Sequence, residues 1–225
     1  MIDIKDNTVP ATDQTINSSD LLILGKDSAK IKILIVGNSI TRHGPKEEIG
    51  WVHDHGMAAS SFEKDYVHLL YNMITSAGYE VCMRVRQGAT WELRFSEPNA
   101  VENEFALDRA FNADVVLFRL GENIPVKMQK GTKVALEKFI DYICPPNKKT
   151  VFTTCFWKNP VVDDAIRQVA KERGEQCVEI GCESDEQMAL GQFWHKGVAM
   201  HPNDNGMQMI ADRVFKAIIR EFDNK

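Results

Sequence analysis

Ser39, Gly88, Asn123 and His201 are the residues of this chain whose types and positions could do chemistry together. Serine is a poor nucleophile at neutral pH and needs a base within hydrogen-bond reach. His201 is such a base, because an imidazole with a reference pKa near 6.5 can take a proton and return it. A tetrahedral intermediate of acyl transfer also needs donors aimed at its oxygen. The backbone N–H groups of Ser39 and Gly88 and the side-chain amide of Asn123 offer three, and glycine at 88 lets the backbone approach without a Cβ in the way.

These residues must be gathered by the fold, and the hydrophobic pattern indicates how. Ile31–Gly44 reads IKILIVGNSITRHG: a continuous apolar run halted at Gly37-Asn38-Ser39. Such a run predicts a parallel strand buried on both faces, with Ser39 on the turn at its carboxyl end, where ligands collect in open α/β sheets. Further strands are expected at Glu80–Arg86, Asp114–Leu120, Thr150–Cys155 and Cys177–Ile180. Helices are expected at Glu63–Ala77, Val101–Phe111, Thr132–Ile143 and Pro160–Arg173, with a last one carrying Met207, Ile210, Ala211, Val214, Phe215, Ile218, Ile219 and Phe222 on one face. The alternation predicts an α/β class fold, a three-layer α/β/α sandwich on a five-stranded parallel sheet in the order 2-1-3-4-5. Residues 1–25 read as an arm, with Leu21–Leu24 adding an edge contact, and 26–225 as one domain. The long Ile40–Phe62 loop is of the kind that carries function.

Four blocks stand in order along the chain: Gly37-Asn38-Ser39 with Ile40-Thr41, an isolated Gly88, Gly121-x-Asn123, and His201-Pro202-Asn203. From about Ile31 to the end, the sequence resembles the SGNH (GDSL-like) hydrolase family. The resemblance implies a flavodoxin-like α/β/α fold and hydrolysis of esters, or sometimes thioesters, without a metal. It maps the family's serine, glycine, asparagine and histidine onto Ser39, Gly88, Asn123 and His201. Two departures stand out. Asn38 occupies a place the family usually gives to Asp, and Ile124 another. The third triad member, three residues before the histidine, is replaced by Val198; if two residues are inserted there, Lys196 takes the acid's place. A nearby backbone carbonyl, an acid of the preceding loop (Glu183 or Asp185), or nothing at all is left to orient His201.

Composition narrows the partners. With 225 residues and a net charge of −5 there is no basic footprint for nucleic acid. No stretch is long enough to span a membrane. The N-terminal residues lack the pattern of a signal peptide, and five cysteines without a CxxC pair read as reduced thiols, so a cytoplasmic protein is expected. His53-Asp54-His55 reads as a solvated loop, with no third ligand placed by spacing, and no metal or cofactor is expected. Trp51, Trp91, Trp157 and Trp194 fall in loops at the Ser39 edge and are expected to bind substrate. Together these point to removal of a short, acetyl-like group from a polar or carbohydrate alcohol. A thioesterase or lysophospholipase of the same family, or a non-catalytic module that lost its acid, are the alternatives.

Overall fold

The computed structural model describes residues 21–144 and 147–223. Six strands form one sheet: β1 (Leu21–Leu24), β2 (Ile31–Gly37), β3 (Val81–Gln87), β4 (Val115–Arg119), β5 (Lys149–Thr153) and β6 (Gln176–Val178). Their order is β1-β3-β2-β4-β5-β6, parallel throughout except for β1, which runs antiparallel to β3. The five parallel strands thus keep the expected 2-1-3-4-5 order. The correction is a sixth strand, because Leu21–Leu24 forms four paired positions on the open edge of β3 instead of a loose contact. Residues 1–20, the rest of the expected arm, lie outside the described residues.

Among the described residues seven α-helices accompany the sheet: α1 (Tyr66–Ser76), α2 (Ala89–Arg94), α3 (Ala100–Ala110), α4 (Thr132–Ile143), α5 (Pro160–Arg173), α6 (Lys196–Ala199) and α7 (Asp204–Asp223). On one face α1 and α7 bury Tyr66, Leu70, Ile74, Ile210, Val214 and Ile218 against Ile33, Ile35, Val85 and Leu117. On the other, α2 to α5 bury Trp91, Phe105, Phe139 and Ile166 against Leu34, Val36, Phe118 and Phe152. Successive β2 residues alternate between the two clusters, which is why its sequence is apolar without a break. A third, smaller cluster of Trp51, Met57, Ala58, Ala189 and Val198 joins the loop after β2 to the segment before α7. No helix among the described residues is long and apolar enough to cross a membrane.

Local signals place α5 and α7. The Asn159 side chain accepts from Val162 N–H at the start of α5, and Gly174 closes it in the left-handed region at φ 69°. Asn203 Oδ1 accepts from Asn205 and Gly206 N–H at the start of α7, while its Nδ2 ties down the carbonyls of Glu186 and Met188. The residue that begins α7 thereby also fixes the loop leading to His201.

Candidate active site

Ser39 and His201, 162 positions apart, meet at the carboxyl edge of the sheet: Ser39 Oγ lies 2.7 Å from His201 Nε2. Ser39 sits on the turn after β2, held by Thr41 and Arg42 N–H donating to the Asn38 carbonyl and by Met57 N–H donating to the Ser39 carbonyl. His201 is buried, and its Nδ1 is 2.7 Å from the Gly197 carbonyl oxygen. A carbonyl can only accept, so Nδ1 carries the proton and Nε2 is left as the acceptor facing the serine hydroxyl.

That carbonyl is available because of how α6 ends. A continuing α-helix would direct His201 N–H to Gly197; instead the turn tightens and His201 N–H donates to the Val198 carbonyl at 2.9 Å. The freed carbonyl receives the histidine's own side chain. Of the open alternatives, the backbone carbonyl is therefore the one observed. Neither expected acid reaches His201: Glu183 accepts from Arg213 Nη2 at 2.6 Å, and Asp185 is exposed on a single turn over 185–187. Val198 is fully buried in the apolar cluster with Trp51 and Met57. Burial pushes the His201 pKa down to about 4, with Arg119 and His43 adding to the effect against the opposing Gly197 hydrogen bond.

Beneath Ser39 lies a buried polar cluster. Asn38 Nδ2 donates to Glu122 Oε2 at 2.6 Å and to Glu92 Oε1 at 3.2 Å, and its Oδ1 accepts from Arg119 Nη1 at 2.6 Å. Arg119 Nη2 donates to Glu122 Oε1, which also accepts from Phe156 N–H at 2.8 Å. Glu92 Oε1 accepts from the N–H groups of Gly121 (2.5 Å) and Asn123 (3.2 Å), and its Oε2 from Asn123 Nδ2 at 2.6 Å. Glu92 is fully buried, and desolvation together with the neighbouring Glu122 raises its pKa to about 7.

The three expected oxyanion donors fare differently. Ser39 N–H donates to no group among the described residues. Asn123 is exposed and uses one amide hydrogen on Glu92, which leaves the other free. Gly88 is corrected: its N–H donates to the Gly37 carbonyl at 2.7 Å, extending the parallel ladder. A Cβ there would come within 2.8 Å of Val36 Cγ1, so the glycine serves close packing over β2 and not an approach to substrate.

Two tryptophans are corrected as substrate-binding residues. Trp51 is fully buried against Val198 and Met57 with its Nε1 donating to the His43 carbonyl, and Trp91 packs in the core between Phe95, Phe118 and Phe139. Trp157, half-buried, stands edge-on to the His201 ring with centroids 4.9 Å apart, its Nε1 donating to the Met200 carbonyl. Trp194 is 73% exposed and lies over Gly50. In the Ile40–Phe62 loop, Asp54 pairs with Arg42, and the rings of His53 and His55 stack on each other beside Trp51. Among the described residues no group of three metal-ligating side chains occurs.

Sequence reasoning did not find Glu92, Arg119 or Glu122, and left a backbone carbonyl open for His201 without naming Gly197. Arg119 was the available signal, since an arginine ending a strand of otherwise apolar buried residues requires an acid nearby.

No family model matches the chain, and no curated protein matches it. Solved structures do. The Clostridium thermocellum family 3 carbohydrate esterase is 18% identical with a TM-score of 0.62, over 84% of this chain and 96% of that one. A protein named as a GDSL-like lipase from Bacteroides ovatus is 14% identical with a TM-score of 0.55, over 85% and 98%. The psychrotrophic esterase EstA from Pseudoalteromonas sp. is 15% identical with a TM-score of 0.53, again over 85% and 98%. The fold of this chain is that of the SGNH (GDSL-like) hydrolases.

Proposed function

We propose that the protein is a serine ester hydrolase working through an acyl-enzyme. The observation that carries this reading is the 2.7 Å contact between Ser39 Oγ and a His201 Nε2 held as the acceptor tautomer. As Ser39 Oγ attacks the acyl carbon, its proton passes to Nε2. The carbonyl oxygen becomes an oxyanion facing Ser39 N–H and the free Asn123 amide hydrogen. Collapse breaks the bond to the alcohol, which leaves with the proton from His201. Water, deprotonated by the same imidazole, then releases the acid and restores Ser39. A neutral carbonyl stabilises the imidazolium less than a carboxylate does, so this is a dyad with a weaker orienting group, working with some loss of rate.

Trp157 walls the site beside His201, and the exposed Trp194 offers a flat apolar face nearby in sequence. Both support a short acyl group on a carbohydrate alcohol as substrate, in keeping with the carbohydrate esterase among the structural neighbours. One neighbour is described as inhibited by monoethylphosphonate, so a phosphonate is the fitting probe. A fluorophosphonate is expected to label the wild type and not Ser39→Ala, with p-nitrophenyl acetate hydrolysis lost in parallel. An unlabelled wild type would favour the non-catalytic module instead. Across a chain-length series of nitrophenyl esters, turnover is expected to fall beyond the shortest acyl groups; a preference for long chains would favour the lysophospholipase alternative.

A further inference from the structure

We infer that Glu92 is a positioning residue that holds Asn123 with an N–H aimed at the oxyanion, so that catalysis depends on the ionisation of a carboxylate that never touches substrate. The inference rests on the esterase reading above and deepens it. Glu92 is the fully buried acid of a six-residue helix, and it accepts from two backbone N–H groups and two side-chain amides. Three of the four belong to Gly121–Asn123, the turn that follows β4. Gly121 adopts φ 148°, a conformation side chains rarely tolerate, and its N–H points to Glu92 Oε1. The turn and the Asn123 side chain are thus fixed on the same carboxylate.

The amide of Asn123 has two ends of opposite hydrogen-bonding character. With Glu92 ionised, only the NH₂ end can meet Oε2, and the second hydrogen of that NH₂ remains for the substrate. With Glu92 protonated on Oε2, donor meets donor. The amide then turns its carbonyl towards Glu92, or lets go. Either way the donor that Asn123 offers the oxyanion is misplaced. The charged groups sharing this cluster are Glu122 and Arg119, both from the end of β4, while β2 contributes the neutral Asn38. Burial opposes ionisation of Glu92, and Glu122 opposes it further. The carboxylate is consequently poised near neutrality, well above the range in which His201 takes a proton.

Glu92→Gln puts an amide NH₂ where Oε2 accepts from Asn123, and it mimics the protonated acid without changing shape. Its kcat for p-nitrophenyl acetate is expected to fall about a hundredfold with little change in KM, the size of effect of losing one oxyanion donor. Asn123→Ala is expected to show a similar loss, and the double variant about the same as either alone. A second measurement does not require Glu92→Gln to fold. The kcat of the wild type is expected to decline on the acid side of neutrality, and Asn123→Ala, altered at an exposed side chain, is expected to lack that decline. Full kcat in a folded Glu92→Gln, additive losses in the double variant, or the same acid decline in Asn123→Ala would each overturn the inference. In all three cases phosphonate labelling of Ser39 would survive, whereas a wild type without labelling or turnover overturns the esterase reading itself, and this inference with it.

Discussion

Asn38 stands next to Ser39 where a carboxylate would be the third acid in one buried cluster. Its amide donates to Glu92 and Glu122 and accepts from Arg119 and from Ile40 N–H, so every capacity of the side chain is used. An aspartate could keep the bonds it accepts, but the donated ones would become contacts between like charges. Asn38→Asp is therefore expected to destabilise the protein by roughly 2–4 kcal/mol, read from the urea midpoint. The loss should be larger at pH 8 than at pH 6, because Glu92 ionises as pH rises through that window. An unchanged midpoint would mean that the cluster relaxes around the added charge. The departure from the family's usual Asp thus has a physical reason in Glu92 and Glu122, and that reason could not be seen without the fold that assembles them.

The segment Lys196–Ala199 shows why one part of the site was not legible in the sequence. His201 is oriented by a main-chain oxygen that a one-turn helix leaves unused, and a backbone carbonyl has no signature in side-chain types. Val198, where the family places its acid, is a core residue packed on Trp51. Val198→Asp is accordingly expected to lose at least about 3 kcal/mol of stability by burying a carboxylate among apolar groups, without raising the hydrolysis rate. A gain in kcat would show that the segment can swing to deliver an acid. By contrast, α4 and α5 were readable to the residue, because Pro160 opens α5, Gly174 follows it, and the apolar spacing of both is regular. The six residues of α2 are too few for a period to emerge, so Trp91 looked like a loop aromatic and Glu92 drew no notice. Ser39 and His201 were recognisable because strand ends and the start of a long helix have strong local signals. Their meeting depends on the strand order, and there the alternation of elements fixes only the layers, the order 2-1-3-4-5 being a further expectation.

At the scale of the whole molecule, burying a neutral imidazole makes one contribution to stability acid-sensitive, set against Glu92, whose raised pKa favours the fold as pH falls. The unfolded chain takes up a proton at His201 near pH 6.5, whereas the folded chain resists until about pH 4. Protonation therefore favours unfolding, and the contribution of this one residue to stability is expected to drop as pH falls through that window. Between pH 7 and pH 5 the drop should be on the order of 2 kcal/mol. Chemical denaturation at the two values should show the wild type losing stability relative to His201→Gln as pH falls, and no relative change would place the folded imidazole near its ordinary range. The sheet's two rims differ as well. On one side it tapers to the three residues of β6, while on the other the seven-residue β3 is screened by β1 running the opposite way. Without that cover, a long row of amides and carbonyls would be free to zip onto the same row of another copy. A variant starting at Lys26 should consequently self-associate as its concentration rises, visible by light scattering. Those four leucine-rich residues, laid along Met83–Arg86, would then act as a guard against polymerisation and take no part in the chemistry.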